Sequence, residues 1–222
     1  MSSCAPHAMS TILEYHAKGQ YHLSTNFFYG IKRKLFGHNR PGMYMRDLCK
    51  LAVEYGDPLV EDCWGNYEVP ICCPVAEAAF NNSETMRKAA DFKMQSYFIC
   101  NSIEEIKYAL VHYGPVIICM EWYPDYYVKA NILTKRGNRK SNGYHALVLY
   151  GYDETGFLCQ NSWGEIWGNG GRFIIPYEIK IYEARGLVDV NNDTYIAPPN
   201  PHPFMNLIFK FINRVANFFL KK

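Results

Sequence analysis

The sequence predicts an α+β protein in which helical patterns come first and strand patterns follow. Its 222 residues allow one sizeable domain with a core of its own. The composition, 49% hydrophobic and 16% aromatic, is that of a globular protein. Amphipathic helix patterns dominate the first hundred residues, whereas apolar runs of strand length and a hairpin turn signal come later.

The bulk charge and the cysteines exclude several classes of function. A formal net charge of +2 and the lack of a basic run with interleaved aromatics argue against nucleic-acid binding. The first residues show no secretory signal pattern, so we expect reduced cysteines and favour an intracellular setting, with the source and compartment left open. The eight cysteines form no C-x-x-C or Cys/His cluster, so we expect no zinc and no cofactor.

The first predicted helix carries a cysteine at its start. Ser2 and Ser3 are N-cap candidates, and an apolar face at helical spacing follows Cys4. The unpaired N–H groups and dipole of a helix N-terminus favour an anion, and hence a thiolate. A buried small residue is the commoner role of a lone cysteine. His7 lies one helical turn from Cys4 and, like the other histidines outside the motif below, is expected to be structural or exposed.

The middle of the chain alternates helices, irregular segments and strands. Two further helices are predicted at 24–35 and 43–55, an irregular proline-bearing surface at 57–75, and a helical stretch around 86–90. A strand at 95–100 precedes a helix that a Ser102-to-Glu105 capping box opens, and a buried strand at 115–122 comes next. Residues 123–142 are predicted to be an inserted loop, whose five cations are expected to be solvated.

The segment 142–173 organises the rest of the prediction. A strand at 145–150 begins with His145, a turn ends at Gly156 with a positive φ, and a strand at 157–160 delivers Asn161. The hairpin would bring the imidazole and the carboxamide together. An amide oxygen on the second ring nitrogen fixes the tautomer of a catalytic histidine. Trp163 and Trp167 could cover that hydrogen bond, and four glycines fit a tight loop after it.

The run N-S-W-G-E-I-W-G-N-G-G, which starts at Asn161, resembles the asparagine loop of papain-like cysteine proteases. The resemblance implies a two-lobe papain-like fold, with a helical lobe at about 1–100 and an antiparallel β-rich lobe at about 101–192. The peptidase domain would then cover 1–195. The order Cys, His, Asn maps onto Cys4, His145 and Asn161, and Cys4 precedes His145 by 141 positions against about 130–150 in the family.

The same resemblance implies further site residues and one departure. The family's glutamine before the cysteine has no counterpart among the three residues before Cys4. Three explanations are open: the start of this sequence is truncated, or Ser2 or a donor from elsewhere assists the oxyanion beside the N–H of Cys4, or activity is weak. Gly42 is a candidate for main-chain contact with a peptide, although a turn glycine with no role in binding is the favoured interpretation. Trp163 is a candidate substrate contact.

The last stretch is predicted to lie outside the peptidase domain. A proline-rich linker leads from residue 196 into an amphipathic basic helix at 205–222, which is too short and too charged to span a bilayer. Docking on a protein surface is favoured over contact with a membrane surface.

The leading hypothesis is a cysteine peptidase that acts on peptide or protein substrates. One alternative is a catalytically silent papain-like module that binds peptides or a partner, which the missing glutamine favours. Another is a different Cys-His acyl-transfer enzyme, such as a transglutaminase or an amidase. Those enzymes usually orient the histidine with an aspartate or a second histidine, so Asn161 disfavours them.

Overall fold

The computed structural model describes residues 3–37, 41–64 and 69–189, with the backbone alone for 69–73. The chain divides into two compact units between Tyr97 and Phe98. The predicted domain end at 195 and the tail at 196–222 lie outside the described residues, and the tail's role stays a prediction. No described helix is long and apolar enough to cross a membrane.

Unit 1 is helical. Its elements are α1 (Cys4–His16), α2 (Thr25–Phe36), α3 (Met45–Glu54), α4 (Val69–Asn81), α5 (Ser83–Ala89) and a 3-10 turn (Ala90–Phe92). Its buried apolar side chains include Met9, Ile12 and Leu13 of α1, Phe27, Phe28 and Ile31 of α2, and Leu48 and Leu51 of α3. These residues recur every three or four positions, which is the spacing that places one face of each helix in a core.

The prediction of an irregular surface at 57–75 was wrong beyond residue 68, because α4 begins at Val69. Pro70 stands in the first turn, where a missing N–H breaks no helical bond. Pro74 lies inside the helix, where proline is unfavourable. The helix nevertheless packs on α2 and buries Ala76 and Ala79, so tertiary packing outweighs the local propensity.

Unit 2 is built on a sheet. Within the described residues the sheet has eight strands, the first of which crosses the boundary between the units: β1 (Met94–Ile99), β2 (Val116–Glu121), β3 (Tyr126–Lys129), β4 (Ile132–Lys135), β5 (Tyr144–Tyr152), β6 (Gly156–Gln160), β7 (Arg172–Pro176) and β8 (Ile181–Asp189). They follow the order β1-β8-β2-β5-β6-β7-β4-β3. The pairs β2–β5, β2–β8, β3–β4, β5–β6 and β6–β7 are antiparallel, and β4–β7 is parallel. The predicted α+β class is therefore confirmed.

A helix of the described part of unit 2 packs on this sheet. The helix α6 (Ile103–His112) contacts β2, β5 and β8, and buries Ile106, Ala109 and Leu110. Ser102 Oγ accepts from the N–H of Glu105 at 3.1 Å, as a capping box requires. The carboxylate of Glu105 accepts from the N–H of Asn101 at 2.7 Å, one residue earlier than in the ideal motif.

The predicted loop at 123–142 contains a β-hairpin instead. β3 and β4 pair from Tyr126–Lys135 to Lys129–Ile132, and Ala130 and Asn131 turn the chain with positive φ angles of 49° and 67°. The side chain of Leu133, which belongs to β4 of this hairpin, is buried. The turn residues Ala-Asn lack the glycine that makes such turns easy to recognise, which is why the hairpin was missed.

The turn between β5 and β6 also differs from the prediction. Gly156 does not adopt a positive φ. The turn is held by Asp153, whose Oδ1 accepts from the N–H groups of Thr155 at 2.7 Å and Gly156 at 3.0 Å. Glycine is required at 156 for space, because a Cβ there would lie 2.1 Å from the carbonyl oxygen of Ile175.

Candidate active site

The hairpin β5–β6 brings His145 and Asn161 together, as its sequence predicts. His145 is the second residue of β5, and Asn161 directly follows β6. The ring Nε2 of His145 lies 2.8 Å from Oδ1 of Asn161. Both side chains are buried, with exposed fractions of 6% and 4%. In a buried environment this hydrogen bond holds the imidazole plane in one orientation.

The surroundings of Asn161 settle which ring nitrogen of His145 carries the proton. The Oδ1 atom also lies 2.8 Å from the backbone N–H of Ser162, a group that can only donate. This atom is therefore the amide oxygen, and Nε2 of His145 donates to it. In the neutral ring the lone pair then lies on Nδ1, which leaves that nitrogen able to accept a proton.

The electrostatics of His145 follow from the same environment. Burial lowers the pKa of His145 below its ordinary value, and the hydrogen bond that its ring donates to Asn161 partly opposes that shift. The neutral imidazole is thus favoured in this unit by itself, and a negative charge facing Nδ1 would favour the protonated ring.

Indole rings enclose the imidazole. Trp163 stacks on it with 4.8 Å between the ring centroids and 27° between the planes, and Trp122 meets it edge-on at 5.0 Å and 75°. Trp167 packs on Trp163 at 5.2 Å. Trp163 is 47% exposed, so its outer face is open to solvent. Trp163 was predicted to cover the hydrogen bond, whereas Trp122 was not predicted to contribute.

The contact of Trp122 with His145 can be inferred from the sequence only when the register of β2 with β5 is known. It follows β2, in which Met120 and Glu121 lie opposite His145 and Tyr144. Its backbone N–H donates to the carbonyl of Gly143 at 2.8 Å. The apolar strand that directly precedes Trp122 is therefore paired with the strand that carries His145. The sequence does not state this pairing, since it joins segments about twenty residues apart.

A second feature that sequence reasoning missed holds the backbone of Asn161. Its N–H donates to the carbonyl of Gly171 at 2.8 Å. Nε2 of Gln160 donates to the carbonyls of Asn161 at 3.0 Å and of Gly171 at 3.2 Å. Nε of Arg172 donates to Oε1 of Gln160 at 3.1 Å. We call Gln160 and Arg172 the Gln–Arg clamp, and residues 161–171 the tryptophan loop. The clamp ties the two ends of this loop together beside Asn161.

The glycines of the tryptophan loop behave as predicted. Positive φ angles occur at Gly164, Gly168, Gly170 and Gly171. At Gly171 space matters as well, because a Cβ would lie 2.7 Å from Nε2 of Gln160. Only glycine combines a left-handed backbone with room for the Gln–Arg clamp at this point.

Cys4 belongs to unit 1 and is the first residue of α1. It is half-buried, and it stands at the helix end whose dipole favours an anion. Ser3 occupies the N-cap position, but its side chain makes no capping hydrogen bond. Ser2, the predicted oxyanion candidate, lies outside the described residues.

Gly42 also lies in unit 1, in the turn before α3, with a φ of 82°. Its carbonyl accepts from Nζ of Lys32 at 2.7 Å, and the same ammonium lies 3.8 Å from the ring centroid of Tyr29. The side chain of Lys32 is buried. A buried ammonium therefore fixes the turn that carries Gly42, which no sequence motif indicated.

Three other cysteines of the described residues are unsuited to act as nucleophiles, and the described residues contain no cluster of metal ligands. Burial raises the pKa of Cys63 and of Cys100 to about 11, and that of Cys159 well above its ordinary value. Such thiols are inert as nucleophiles at neutral pH. The described part of the chain contains no group of three or more histidine, cysteine or carboxylate side chains that could hold a metal ion.

Most of the chain matches the model of one protein family. Residues 44–191, about two thirds of it, match the model of the papain family cysteine proteases. The matched range includes His145 and Asn161. It does not include Cys4.

Individual relatives are more distant. A cysteine protease of Blomia tropicalis is 32% identical over 77 residues, a match that spans 32% of this chain and 23% of that protein. The chain thus matches less than a quarter of that curated relative's length.

Solved structures match over more of the chain. Xylellain, a cysteine protease from Xylella fastidiosa, has a TM-score of 0.70 and 22% identity, covering 85% of this chain and 80% of its own. The Carica candamarcensis cysteine protease CMS1MS2, solved in complex with E-64, has a TM-score of 0.59 and 16% identity, covering 85% of this chain and 89% of its own. These likenesses confirm the predicted papain-like fold.

Proposed function

Because this chain belongs to the papain family of cysteine proteases, we propose that it hydrolyses peptide bonds with Cys4 as nucleophile. In this proposal His145 is the base and general acid, and Asn161 orients it. The observation that supports it most is the buried 2.8 Å hydrogen bond from Nε2 of His145 to Asn161. That bond leaves Nδ1 as the nitrogen that exchanges protons, as a Cys-His pair requires.

The reaction begins with proton transfer from the Cys4 thiol to Nδ1 of His145. The thiolate attacks the carbonyl carbon of the peptide, a C–S bond forms, and the π electron pair moves onto the oxygen. The N–H of Cys4 donates to that oxyanion, and Ser2 stays a predicted second donor. The intermediate collapses as the C–N bond breaks, and His145 gives its proton to the leaving amine.

Water completes the cycle. His145 takes a proton from water, the hydroxide attacks the thioester, and a second oxyanion forms. Its collapse breaks the C–S bond and releases the carboxylic acid, and Cys4 returns to the thiolate. Trp163, whose outer face is 47% exposed, and Gly42, whose turn Lys32 holds, are the proposed contacts for peptide substrate.

The test is labelling with a peptidyl epoxide, read by peptide mass mapping, on the wild type and on His145→Ala. We expect Cys4 to react fastest of the eight cysteines at mildly acidic pH, and the rate to collapse in His145→Ala. His112→Ala, a histidine of α6, is the matched control and should label like the wild type. Equal reactivity of Cys4 and the other cysteines would contradict the proposed nucleophile.

A second candidate is a papain-like module that binds peptides without turnover. One observation favours it: the family match starts at residue 44 and leaves Cys4 outside. Peptide binding that survives Cys4→Ala, together with no hydrolysis by the wild type, would support this candidate.

A further inference from the structure

His7 makes two hydrogen bonds to one oxygen atom. Its ring Nδ1 lies 2.8 Å from the carbonyl oxygen of Ser3, and its backbone N–H donates to the same oxygen at 3.1 Å. A carbonyl oxygen can only accept, so Nδ1 carries a hydrogen and the lone pair of the neutral ring lies on Nε2. The tautomer of His7 is thereby fixed by its partner.

The oxygen that accepts both hydrogen bonds belongs to the peptide unit between Ser3 and Cys4. The carbonyl of Ser3 and the N–H of Cys4 belong to one planar amide, so fixing the direction of the oxygen also fixes the direction of the N–H. A hydrogen bond to the oxygen of an amide further polarises the group and strengthens the N–H as a donor. His7 therefore acts on the N–H of Cys4 through the amide plane.

We propose that His7 is a positioning residue that aims and polarises the backbone N–H of Cys4 towards the oxyanion formed during acylation. The proposal rests on the function proposed above, in which Cys4 is the nucleophile. It deepens that function by assigning a support to the main-chain oxyanion donor. In this role His7 acts through the amide that joins Ser3 and Cys4.

The protonation behaviour of His7 fits this role. Burial lowers the pKa of His7, and the hydrogen bond to Ser3 partly opposes the shift. A proton added at low pH goes to Nε2, so Nδ1 keeps its hydrogen in both charge states. The contact with Ser3 thus persists across the pH range in which a papain-like pair would titrate.

Two substitutions at one position separate the donor from the bulk of the ring. His7→Asn places an amide NH₂ about where ring Nδ1 lies, whereas His7→Phe keeps an aromatic ring and removes the donor. Two reactions of Cys4 are measured on each. Acylation by a peptide anilide in a single turnover develops an oxyanion, and alkylation by iodoacetamide is a displacement at a saturated carbon that develops none.

We expect His7→Phe to lower the acylation rate about tenfold, a fraction of the loss seen when an oxyanion donor is removed outright. The iodoacetamide rate should stay within about twofold of the wild type, because thiolate formation does not require the oxyanion donor. His7→Asn should restore acylation to near the wild-type rate. Thermal unfolding of every variant is followed by circular dichroism, and His7→Ala replaces His7→Phe if the latter does not fold.

Two results would overturn the proposal. Equal losses in acylation and alkylation would mean that His7 supports α1 or the thiolate as a whole. Failure of His7→Asn to recover acylation would mean that the donated hydrogen bond is not the relevant contact. Failure of the underlying function would look different, since the wild type would then hydrolyse nothing or Cys4→Ala would retain full turnover.

Discussion

Arg172 and Gln160 are joined side chain to side chain, Nε to Oε1 at 3.1 Å, and Gln160 directly precedes Asn161, the hydrogen-bond partner of His145. The amide of Gln160 that this contact holds then donates to the carbonyls of Asn161 and Gly171. We therefore expect the contact between Gln160 and Arg172 to influence the orientation of the imidazole through Asn161.

Replacing Gln160 with alanine should therefore reduce peptide hydrolysis. We expect kcat to fall about tenfold with a smaller change in KM, because small displacements of catalytic groups are costly. Steady-state kinetics on a peptide substrate measure the effect. Gln95→Ala, an exposed glutamine of β1, is the control and should leave kcat unchanged. An unchanged kcat in Gln160→Ala would show that the tryptophan loop holds Asn161 without the clamp.

The pKa of His145 should move in opposite directions in two variants. Burial is the main cause that lowers it, so Trp163→Ala, which uncovers the ring, should raise the pKa towards its ordinary value. Asn161→Ala removes the hydrogen bond that raises it and should lower the pKa further. NMR titration of the histidine ring protons, in a Cys4→Ala background that removes the proposed partner of His145, measures both. Shifts in the same direction would contradict this account of the ring's environment.

Asp57 should make the stability of the protein depend on pH. The side chain is fully buried, its Oδ2 accepts from Oγ of Ser10 at 2.8 Å, and burial raises its pKa well above the ordinary value. Between the unfolded and the folded pKa the folded state holds a proton that the unfolded chain has released. The free energy of unfolding contributed by Asp57 is therefore lost as the pH rises from about 4, by at most about 1.4 kcal/mol per pH unit.

Urea unfolding of the wild type and of Asp57→Asn from pH 4 to pH 7 measures this contribution. We expect the wild type to lose stability relative to the variant as the pH rises, because the asparagine does not titrate. Asp91→Asn, an exposed residue of the 3-10 turn, serves as the comparison and should follow the wild type. A constant difference between the wild type and Asp57→Asn would contradict the raised pKa.

Alanine at position 156 should be far more destabilising than alanine at position 37. A Cβ on Gly156 would lie 2.1 Å from the carbonyl oxygen of Ile175, between β6 and β7, so the backbone of one strand would have to shift. A Cβ on Gly37 meets nothing within 4 Å, and only its φ of 69° opposes the substitution. We expect losses of about 3 kcal/mol or more and about 1 kcal/mol, respectively, in denaturant unfolding. Equal losses would mean that β7 shifts to accommodate the methyl group.

The sequence predicted the His145–Asn161 pair because all of its determinants are local. Two short strands and one turn suffice to bring residues sixteen positions apart into contact, and the tryptophans and glycines follow at once. The same local evidence placed the start of α1 and both ends of α2, α3 and α6 within one or two residues. Local hydrophobic periods and turn residues determine elements of this kind.

Features that depend on pairing between distant segments were not predictable. Trp122 reaches His145 through the register of β2 with β5, and Gly156 is required by the approach of β7. The hairpin β3–β4 was missed because its turn uses Ala130 and Asn131, and α4 because Pro74 argued against a helix. In each case tertiary packing decided what local propensity left open.

The placement of the four tryptophans gives each unit a separate optical signature. Trp122, Trp163 and Trp167 lie in contact within unit 2, whereas Trp64 of unit 1 is 74% exposed. Loss of the ring cluster on unfolding of unit 2 will change the wavelength and intensity of intrinsic fluorescence. Unfolding of unit 1 moves its tryptophan from one aqueous environment to another. Fluorescence therefore reports the melting of unit 2. The far-ultraviolet helical signal reports mainly unit 1, which contains all of the described helices except α6, and the two curves together reveal whether the units unfold as one.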